Sequence, residues 1–223
     1  MKKILKAASV AVITIAVITV TGMVLAACAS NANTAETRQI NAIETSQEIQ
    51  NSGHDENFST DEYIIGNTGP AGGIIFYDKG HSSDGWRYLE AAPAETEFRT
   101  GWGALGHHVS GTETDIGNGK RNTGIIVDYL NRIGETGSAA QICDNLVVNG
   151  FGDWFLPCID ELMLMHANLH SNGLGGFSDA WDAWWWSSSQ YDDHHAWYMN
   201  SYGGLFNNHA KPNTGSVRAI RAF

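Results

Sequence analysis

The chain has 223 residues, and Asp and Glu outnumber Lys and Arg by 24 to 13, so its formal net charge is −11 at pH 7. This acidic balance argues against nucleic acid or polyanionic glycans as the general partner, because both would be repelled. The 25 glycines favour many turns and short strands over long helices. The Trp count of 8 provides a large apolar volume for a core.

Residues 1–27 have the layout of a bacterial export signal and are set apart from the fold. The positive residues of the signal come first, at Lys2, Lys3 and Lys6. An apolar run over 7–24 closes on Leu25-Ala26-Ala27-Cys28, which resembles a lipobox. In that class the cysteine thiol is lipidated and becomes the mature N-terminus, so Cys28 is the expected lipidation site. A plain transmembrane anchor is the alternative, since the run is nearly long enough to span a bilayer.

The next segment, residues 28–60, has the composition of a flexible tether. It is rich in Asn, Ala, Thr, Ser, Glu and Gln and poor in aromatic residues. Such a stretch buries too little apolar surface to offset the entropy cost of ordering. A packed helix over 36–49 is the alternative. The remaining residues, 61–223, have an ordinary length for one folded domain.

The first part of this domain is predicted to form a β-hairpin. A turn cluster of Gly, Asn and Pro over 66–73 precedes the apolar strand Ile74–Tyr77. The alternating segment Trp86–Glu90 follows a glycine-containing loop and is expected to pair with that strand. Residues 95–119 are predicted to be mostly loop, with Trp102 as a buried anchor.

The middle of the domain carries the helical patterns. Apolar residues at helical spacing predict helices over Asn122–Ile133 and Ala139–Val148. Asp153–Pro157 is predicted to be a short strand that leads into a third helix. Cys158 stands at the N-cap of that helix and Glu161 at its third position, which is the capping-box arrangement, although a thiol is a weak acceptor.

The last third is predicted to be β-structure, with strands over Trp184–Ser187, Ala196–Met199 and Val217–Ala222. In the last of these, Arg218 and Arg221 are expected to form a polar edge. Helices and strands that are segregated along the chain predict an α+β domain.

The segment over 191–215 shows neither a helical nor a strand period. Tyr, Asp, His, Asn, Ser and Gly crowd together in it, most densely in Tyr191–His195 and Asn207–His209. These side chains are suited to display on a surface rather than to packing in a core. We therefore expect residues of about 182–215 to form an exposed ligand-binding region on a rigid scaffold.

Several separate motifs follow one another along the chain: IGNTGPAGGIIFYDKG, SDGWRYLEAAP, WG, IGNGKRNT, NGFGDWFLPCIDEL, GGFSDAW, WWWSSS and SVRAIRAF. Together they resemble the bacterial domain family that includes the C-terminal domain of the Legionella collagen-like adhesin. Within that family they are most similar to the treponemal variable lipoproteins, which are diversified by a diversity-generating retroelement. The resemblance covers about 64–223. It implies a C-type-lectin fold of the formylglycine-generating-enzyme-like subtype, with a variable C-terminal region that binds ligands.

A retroelement of this kind miscopies the adenines of a template repeat. An Asn codon AAY then yields residues such as Asp, His, Tyr, Ser and Gly, but not Glu, Gln, Lys, Met or Trp. Between Tyr191 and Gly215 only Trp197, Met199 and Lys211 fall outside the reachable set. An ordinary surface loop would contain more Lys, Glu and Gln, so the composition favours hypervariable display.

The ligand-contacting residues are expected to combine rigid aromatic anchors with short, adaptable polar side chains, as in antibody paratopes. The anchors are Tyr191, Tyr198, Tyr202 and Phe206. The other expected contact residues are Asp182, Asp192, Asp193, His194, His195, Asn200, Gly204, Leu205, Asn207, Asn208 and His209. The large residues beside them are instead expected to be core: Trp184, Trp186, Trp197, Val217 and Ile220.

No metal, cofactor or catalytic site is predicted. His194 and His195 lie beside two aspartates, but adjacent residues of a strand point to opposite faces, which suits chelation poorly. Asp160 and Glu161 favour capping over acid–base catalysis. The serines over 187–189 lack the glycine-flanked elbow of a serine nucleophile. The chain is therefore not expected to be an enzyme.

Two alternatives stay open at this stage. Cys143 and Cys158 are either joined by a disulfide, which export permits, or remain two separate buried thiols. The domain is either a diversified receptor for protein or cell-surface ligands, or a fixed-specificity adhesin that binds glycans. In both cases we expect a bacterial surface protein that is attached to the outer membrane through the lipid on Cys28 and has no nucleic-acid partner.

Overall fold

The computed structural model describes residues 63–223. The predicted export signal, tether and lipidation site at Cys28 lie outside the described residues. Residues Asp61–Phe223 cluster into one compact unit. No helix among the described residues is long and apolar enough to cross a membrane.

Two antiparallel strands begin the domain, as the sequence predicts. Strand β1 spans Ile74–Ser83 and strand β2 spans Trp86–Ala91, and they pair as a hairpin. A short strand that was not predicted, β3, follows at Phe98–Thr100. Trp102 is fully buried, in agreement with its expected role as an anchor.

The helices come next. Helix α1 spans Gly119–Ile133, a turn earlier than predicted, and ends at Gly134, whose left-handed φ of 75° suits a glycine cap. Helix α2 spans only Ala139–Asp144. It stops well before Val148, because Val148 instead forms a tight bridge with Phe151.

Helix α3 spans Ile159–Asn168 and starts as the capping box predicts, with Glu161 Oε2 accepting the Cys158 N–H at 2.8 Å. The predicted strand Asp153–Pro157 is reduced to a single bridge between Phe155 and Ile220. Cys143 and Cys158 are separate buried thiols, which decides between the two alternatives left by the sequence. Burial raises the pKa of both thiols.

The rest of the domain is β-structure. Its strands are β4 Trp184–Gln190, β5 His195–Asn200, β6 Phe206–Ala210, β7 Gly215–Val217 and β8 Ile220–Ala222. They complete a three-stranded sheet of order β1-β2-β8 and a five-stranded sheet of order β3-β7-β4-β5-β6. Two sheets with a few helices confirm the α+β class.

The predicted strand Val217–Ala222 is wrong in one respect, because it is two strands that belong to different sheets. The expected polar edge is also wrong, since Arg218 and Arg221 are buried. Arg218 pairs with Glu97 at 2.8 Å, and Arg221 pairs with Glu90 at 3.2 Å. Buried guanidinium groups need such partners, and these carboxylates lie far away in the sequence.

Apolar side chains fill both sides of strand β4. Trp186 belongs to a cluster with α1 and α2, whereas Trp185 belongs to a second cluster with α3 and the β1–β2 hairpin. A strand that is buried on both faces makes a rigid base for its neighbours β5 and β6.

Candidate functional site

The residues predicted to bind ligand lie mainly on the β5–β6 hairpin and the two turns beside it. The exposed ones are Asp182, Tyr191, Asp193, His194, Tyr202, Leu205, Phe206 and Asn207. Those with intermediate exposure are Asp192, His195, Tyr198, Asn200, Gly204, Asn208 and His209. The predicted segment therefore holds two kinds of position, and the sheet register decides which is which.

Strand β6 was not predicted, and it lies at the edge of the five-stranded sheet. Strands β5 and β6 pair without a bulge, from His195 opposite Ala210 to Met199 opposite Phe206. Directly opposed residues share a face, and successive residues alternate between faces. The hairpin therefore has one face that includes Trp197 and Phe206, and another that includes Tyr198.

The first face carries an exposed aromatic row, which we define as Tyr191, Trp197 and Phe206. The Trp197 ring centroid lies 5.0 Å from that of Tyr191 and 5.8 Å from that of Phe206. Tyr191 and Phe206 are each 51% exposed. Trp197 was expected to be core, and it does pack against the second cluster, but it is only partly buried and also joins the row.

The opposite face packs on the first cluster, whereas Met199 and Trp197 of the first face pack on the second. The Tyr198 ring lies 5.3 Å from Trp184, and the His209 ring lies 5.0 Å from the same tryptophan. Trp186, also expected to be core, is fully buried beneath them. Tyr198 and His209 thus support the hairpin as much as they are displayed on it.

The β4–β5 turn is held by one aspartate. Asp192 Oδ1 accepts the N–H groups of His194 and His195, both at 2.7 Å, and lies 2.9 Å from His195 Nδ1. Desolvation opposes ionisation of this carboxyl, but these hydrogen bonds keep its pKa below the ordinary value. Asp192 is therefore a structural acceptor of the turn, while Asp193 and His194 face outward.

A loop from the first half of the domain supports the same turn. The N–H of Gly106 donates to the carbonyl of Asp193 at 2.9 Å, and His108 Nδ1 lies 3.2 Å from the Asp193 carboxylate. Below the turn, the buried Lys211 ammonium donates to the carbonyls of Ala104 and His107. These contacts fix the loop against the display segment.

The β5–β6 turn is the most exposed part of the hairpin. Tyr202 is 75% exposed and Leu205 is 62% exposed. Ser201 anchors the turn, since its N–H donates to Ala183 O and its hydroxyl to Ala180 O. Those bonds hold the loop that contains Trp181 beside the turn, and the Trp181 side chain is 83% exposed. Trp181 was missed because it precedes the segment of biased composition.

His194, His195 and His209 do not form a metal site. The ring centroids of His194 and His195 lie 6.4 Å apart, and His209 packs on the opposite face from His195, against Trp184. Within residues 63–223 there is no group of three or more His, Cys, Asp or Glu side chains that could hold a metal ion.

The carboxylate of Glu161 was considered for acid–base chemistry and is fully buried. It accepts the N–H groups of Cys158 at 2.8 Å and Gly117 at 2.9 Å, so it joins helix α3 to the start of α1. Burial raises its pKa, against the effect of these hydrogen bonds. The hydroxyl groups of Ser187 and Ser189 donate to backbone carbonyls. Glu161, Ser187 and Ser189 therefore use their polar atoms to hold the backbone in place.

Comparisons with known proteins give a distant structural neighbour. No protein-family model and no curated protein matches the chain. Among solved structures, the chain is similar to a fimbrial protein from Bacteroides ovatus ATCC 8483, with a TM-score of 0.49 and 11% sequence identity. The alignment covers 68% of this chain and 44% of that one, so the chain spans less than half of its length. A likeness this distant carries no functional argument.

Proposed function

We propose that this protein is a bacterial surface lipoprotein whose β5–β6 hairpin and adjoining turns bind a protein or cell-surface ligand. The observation that carries the proposal is the aromatic row on the β5–β6 hairpin, in which Tyr191 and Phe206 are each 51% exposed. Exposed aromatic side chains provide large contact area at low entropic cost, and the short polar side chains around them provide adaptable hydrogen bonds. No catalytic role is assigned to any residue.

The proposal includes the origin of the surface. The sequence resemblance across about 64–223 supports a C-type-lectin fold of the formylglycine-generating-enzyme-like subtype. It also supports diversification of the hairpin by a retroelement. The pairing of β8 with β2 fits this view, because strands from both ends of the domain then form one sheet and leave the intervening segment for display. The lipid on Cys28 would tether the domain to the outer membrane.

Sequencing this gene and its flanks in many isolates tests the origin. We expect substitutions at codons of exposed positions such as Tyr191, Tyr202 and Asn207, traceable to adenines of a nearby repeat beside a reverse transcriptase gene. Constancy of the segment, with no repeat, would reject diversification. A fixed-specificity glycan adhesin would then lead, and glycan arrays would be the next step.

Binding itself is tested with alanine variants. Tyr202→Ala combined with Phe206→Ala should abolish binding to target cells with little change in melting temperature, because both side chains are largely exposed. Tyr198→Ala is the matched control on the other face and should lower the melting temperature instead. If the double variant melts far below wild type, those side chains are core and the surface has been assigned wrongly.

A further inference from the structure

We propose that the partner recognised here is a basic, extended polypeptide segment that adds to the five-stranded sheet along β6. This inference deepens the proposed binding function and rests on it. Three observations carry it: an open strand edge, the absence of devices that block such edges, and a surface charge that favours a cationic partner.

The register leaves part of the β6 backbone pointing away from the sheet. The N–H of Asn200 donates to Leu205 O at 3.0 Å, and the N–H of Lys211 donates to His194 O at 2.9 Å. Hydrogen-bonded pairs alternate along an antiparallel ladder, so Asn207 and His209 bond to β5 in the same way. The backbone groups of Phe206, Asn208 and Ala210 consequently face outward.

Two of these outward groups already have local partners. The Asn208 N–H donates to the side chain of Asn207 at 2.8 Å, and the Ala210 carbonyl accepts from Asn213 at 3.0 Å. The first bond comes from a neighbouring side chain on an exposed strand, and an incoming carbonyl can replace it. An added strand would therefore pair along Phe206 and Asn208.

Among residues 63–223, nothing gives strand β6 the usual protection of an edge. Natural proteins block exposed edges with Lys, Pro, bulges or a covering element. Residues 206–210 contain neither Lys nor Pro, and their ladder with β5 has no bulge. Phe206, at the start of the strand, is half-exposed. Addition of a strand from a partner is a common mode of peptide recognition at such an edge.

The charge around the strand selects the chemistry of the partner. Over 177–217 the acidic side chains are Asp179, Asp182, Asp192 and Asp193. Lys211 is the only Lys or Arg in that range, and it is buried with its ammonium bonded to Ala104 O, His107 O and Gln190 Oε1. A negatively charged surface attracts a positively charged partner.

The acidic side chains flank both ends of β6. Asp192 and Asp193 lie in the turn before His195, which is paired with Ala210. At the other end, Ser201 bonds to the carbonyls of Ala180 and Ala183, on either side of Asp182. Lys or Arg residues spaced along an added strand would meet a carboxylate at each end.

The aromatic row completes the fit. A partner residue opposite Phe206 lies on the same face as Phe206. There it can place a guanidinium or ammonium group over the rings of Phe206 or Trp197, within the reach of a cation–π contact of about 6 Å. An uncharged apolar strand would gain the same ring area but no attraction to the carboxylates.

The test starts with selection of random linear peptides on the immobilised full chain. We expect the retained peptides to be rich in Lys or Arg alternating with β-branched residues. Their binding should weaken as salt rises, because exposed charges are screened. Asp182→Asn combined with Asp193→Asn should weaken binding about tenfold or more and flatten the salt dependence. Retention of acidic or uncharged peptides would overturn the charge argument.

Pairing along the edge is tested from both partners. Asn208→Pro removes an outward N–H and no bond to β5, so it should fold and lose about tenfold or more in affinity. Asn208→Ala is the control for loss of the side chain, and it should weaken binding much less than Asn208→Pro because it keeps the outward N–H. Peptides N-methylated at alternate residues test the same point without changing the protein, and one of the two N-methylation registers should abolish binding.

The outcomes separate this inference from the proposed function. If peptides bind equally well to both Asn208 variants, and N-methylation in either register has no effect, the edge is not the docking site. If the chain retains no peptide but binds glycans on an array, and Phe206→Ala abolishes the glycan binding, the inference fails while the proposed binding surface is supported. If Phe206→Ala and Tyr202→Ala leave all binding intact, the proposed function fails as well.

Discussion

Replacement of Lys211 by Met tests how the display segment is anchored. The Lys211 Nζ atom is buried, lies 4.8 Å from the Trp102 ring centroid, and donates at 2.9–3.2 Å to oxygens of Ala104, His107 and Gln190. Burial lowers the pKa of Lys211 to about 8, although nearby carboxylates oppose the shift. Methionine fills a similar volume but leaves those oxygens without a donor. We expect it to lower the free energy of unfolding by about 1–3 kcal/mol near neutral pH.

The lowered pKa also gives a dependence on pH. Because the pKa is about 8 in the folded chain and 10.5 in the unfolded chain, the unfolded chain binds more protons between those values. The free energy of unfolding therefore rises with pH across this window. The full shift corresponds to at most about 3 kcal/mol.

The assay is urea unfolding of the wild-type and Lys211→Met proteins below pH 8 and near pH 10.5, the limits of the window. The stability difference between the two proteins should grow by at most about 3 kcal/mol in favour of wild type as the pH rises. The other ionisable groups are common to both proteins, so their contributions cancel in the difference. A difference that stays flat across this range would show that the ammonium is solvated, and would refute the anchoring role.

Three further predictions concern the frame around the surface. In thermal unfolding, Gly204→Ala should destabilise the protein by about 1–3 kcal/mol, because φ is +63° and a Cβ would lie 2.6 Å from His166 Nδ1. Gly203→Ala is the control and should destabilise it less, since its φ is +72° but a Cβ there would meet open space. Glu161→Gln should lower stability by about 2–3 kcal/mol in urea unfolding, since an amide nitrogen would face a backbone donor; an unchanged midpoint would contradict the capping geometry. In a chain with Cys28→Ser, which leaves two thiols, Cys143 and Cys158 should react with a thiol reagent only after unfolding, because both are buried and have raised pKa values. Rapid reaction of the folded chain would show that the thiols are accessible.

Local signals predicted much of the frame. The capping box at Cys158 and Glu161, the β1–β2 hairpin and the anchor Trp102 depend on neighbours in sequence or on large apolar side chains, and all were found. The lengths of α1 and α2 were less accurate. Bridges such as Val148 to Phe151 depend on turn geometry that periodicity does not record.

Other features depend on contacts that span the chain. Arg218 and Arg221 look like exposed strand residues until Glu97 and Glu90 are placed beside them. Strand β6 was missed because Asn and His have weak strand preferences, and pairing with β5 overrides them. The same pairing places Trp197 and Tyr198 on opposite faces, against different core clusters, which composition could not separate.

The two unlike faces of the β5–β6 hairpin limit how much of it can change. Positions 198 and 209 pack against Trp184, so most substitutions there would loosen the sheet. Substitutions at exposed positions such as 191, 202 and 206 cost little stability. A repertoire built on this hairpin would therefore grow with the exposed positions alone. Randomised libraries for engineering new binders should keep the core-facing residues of both faces constant and place their diversity at the exposed positions and in the turns.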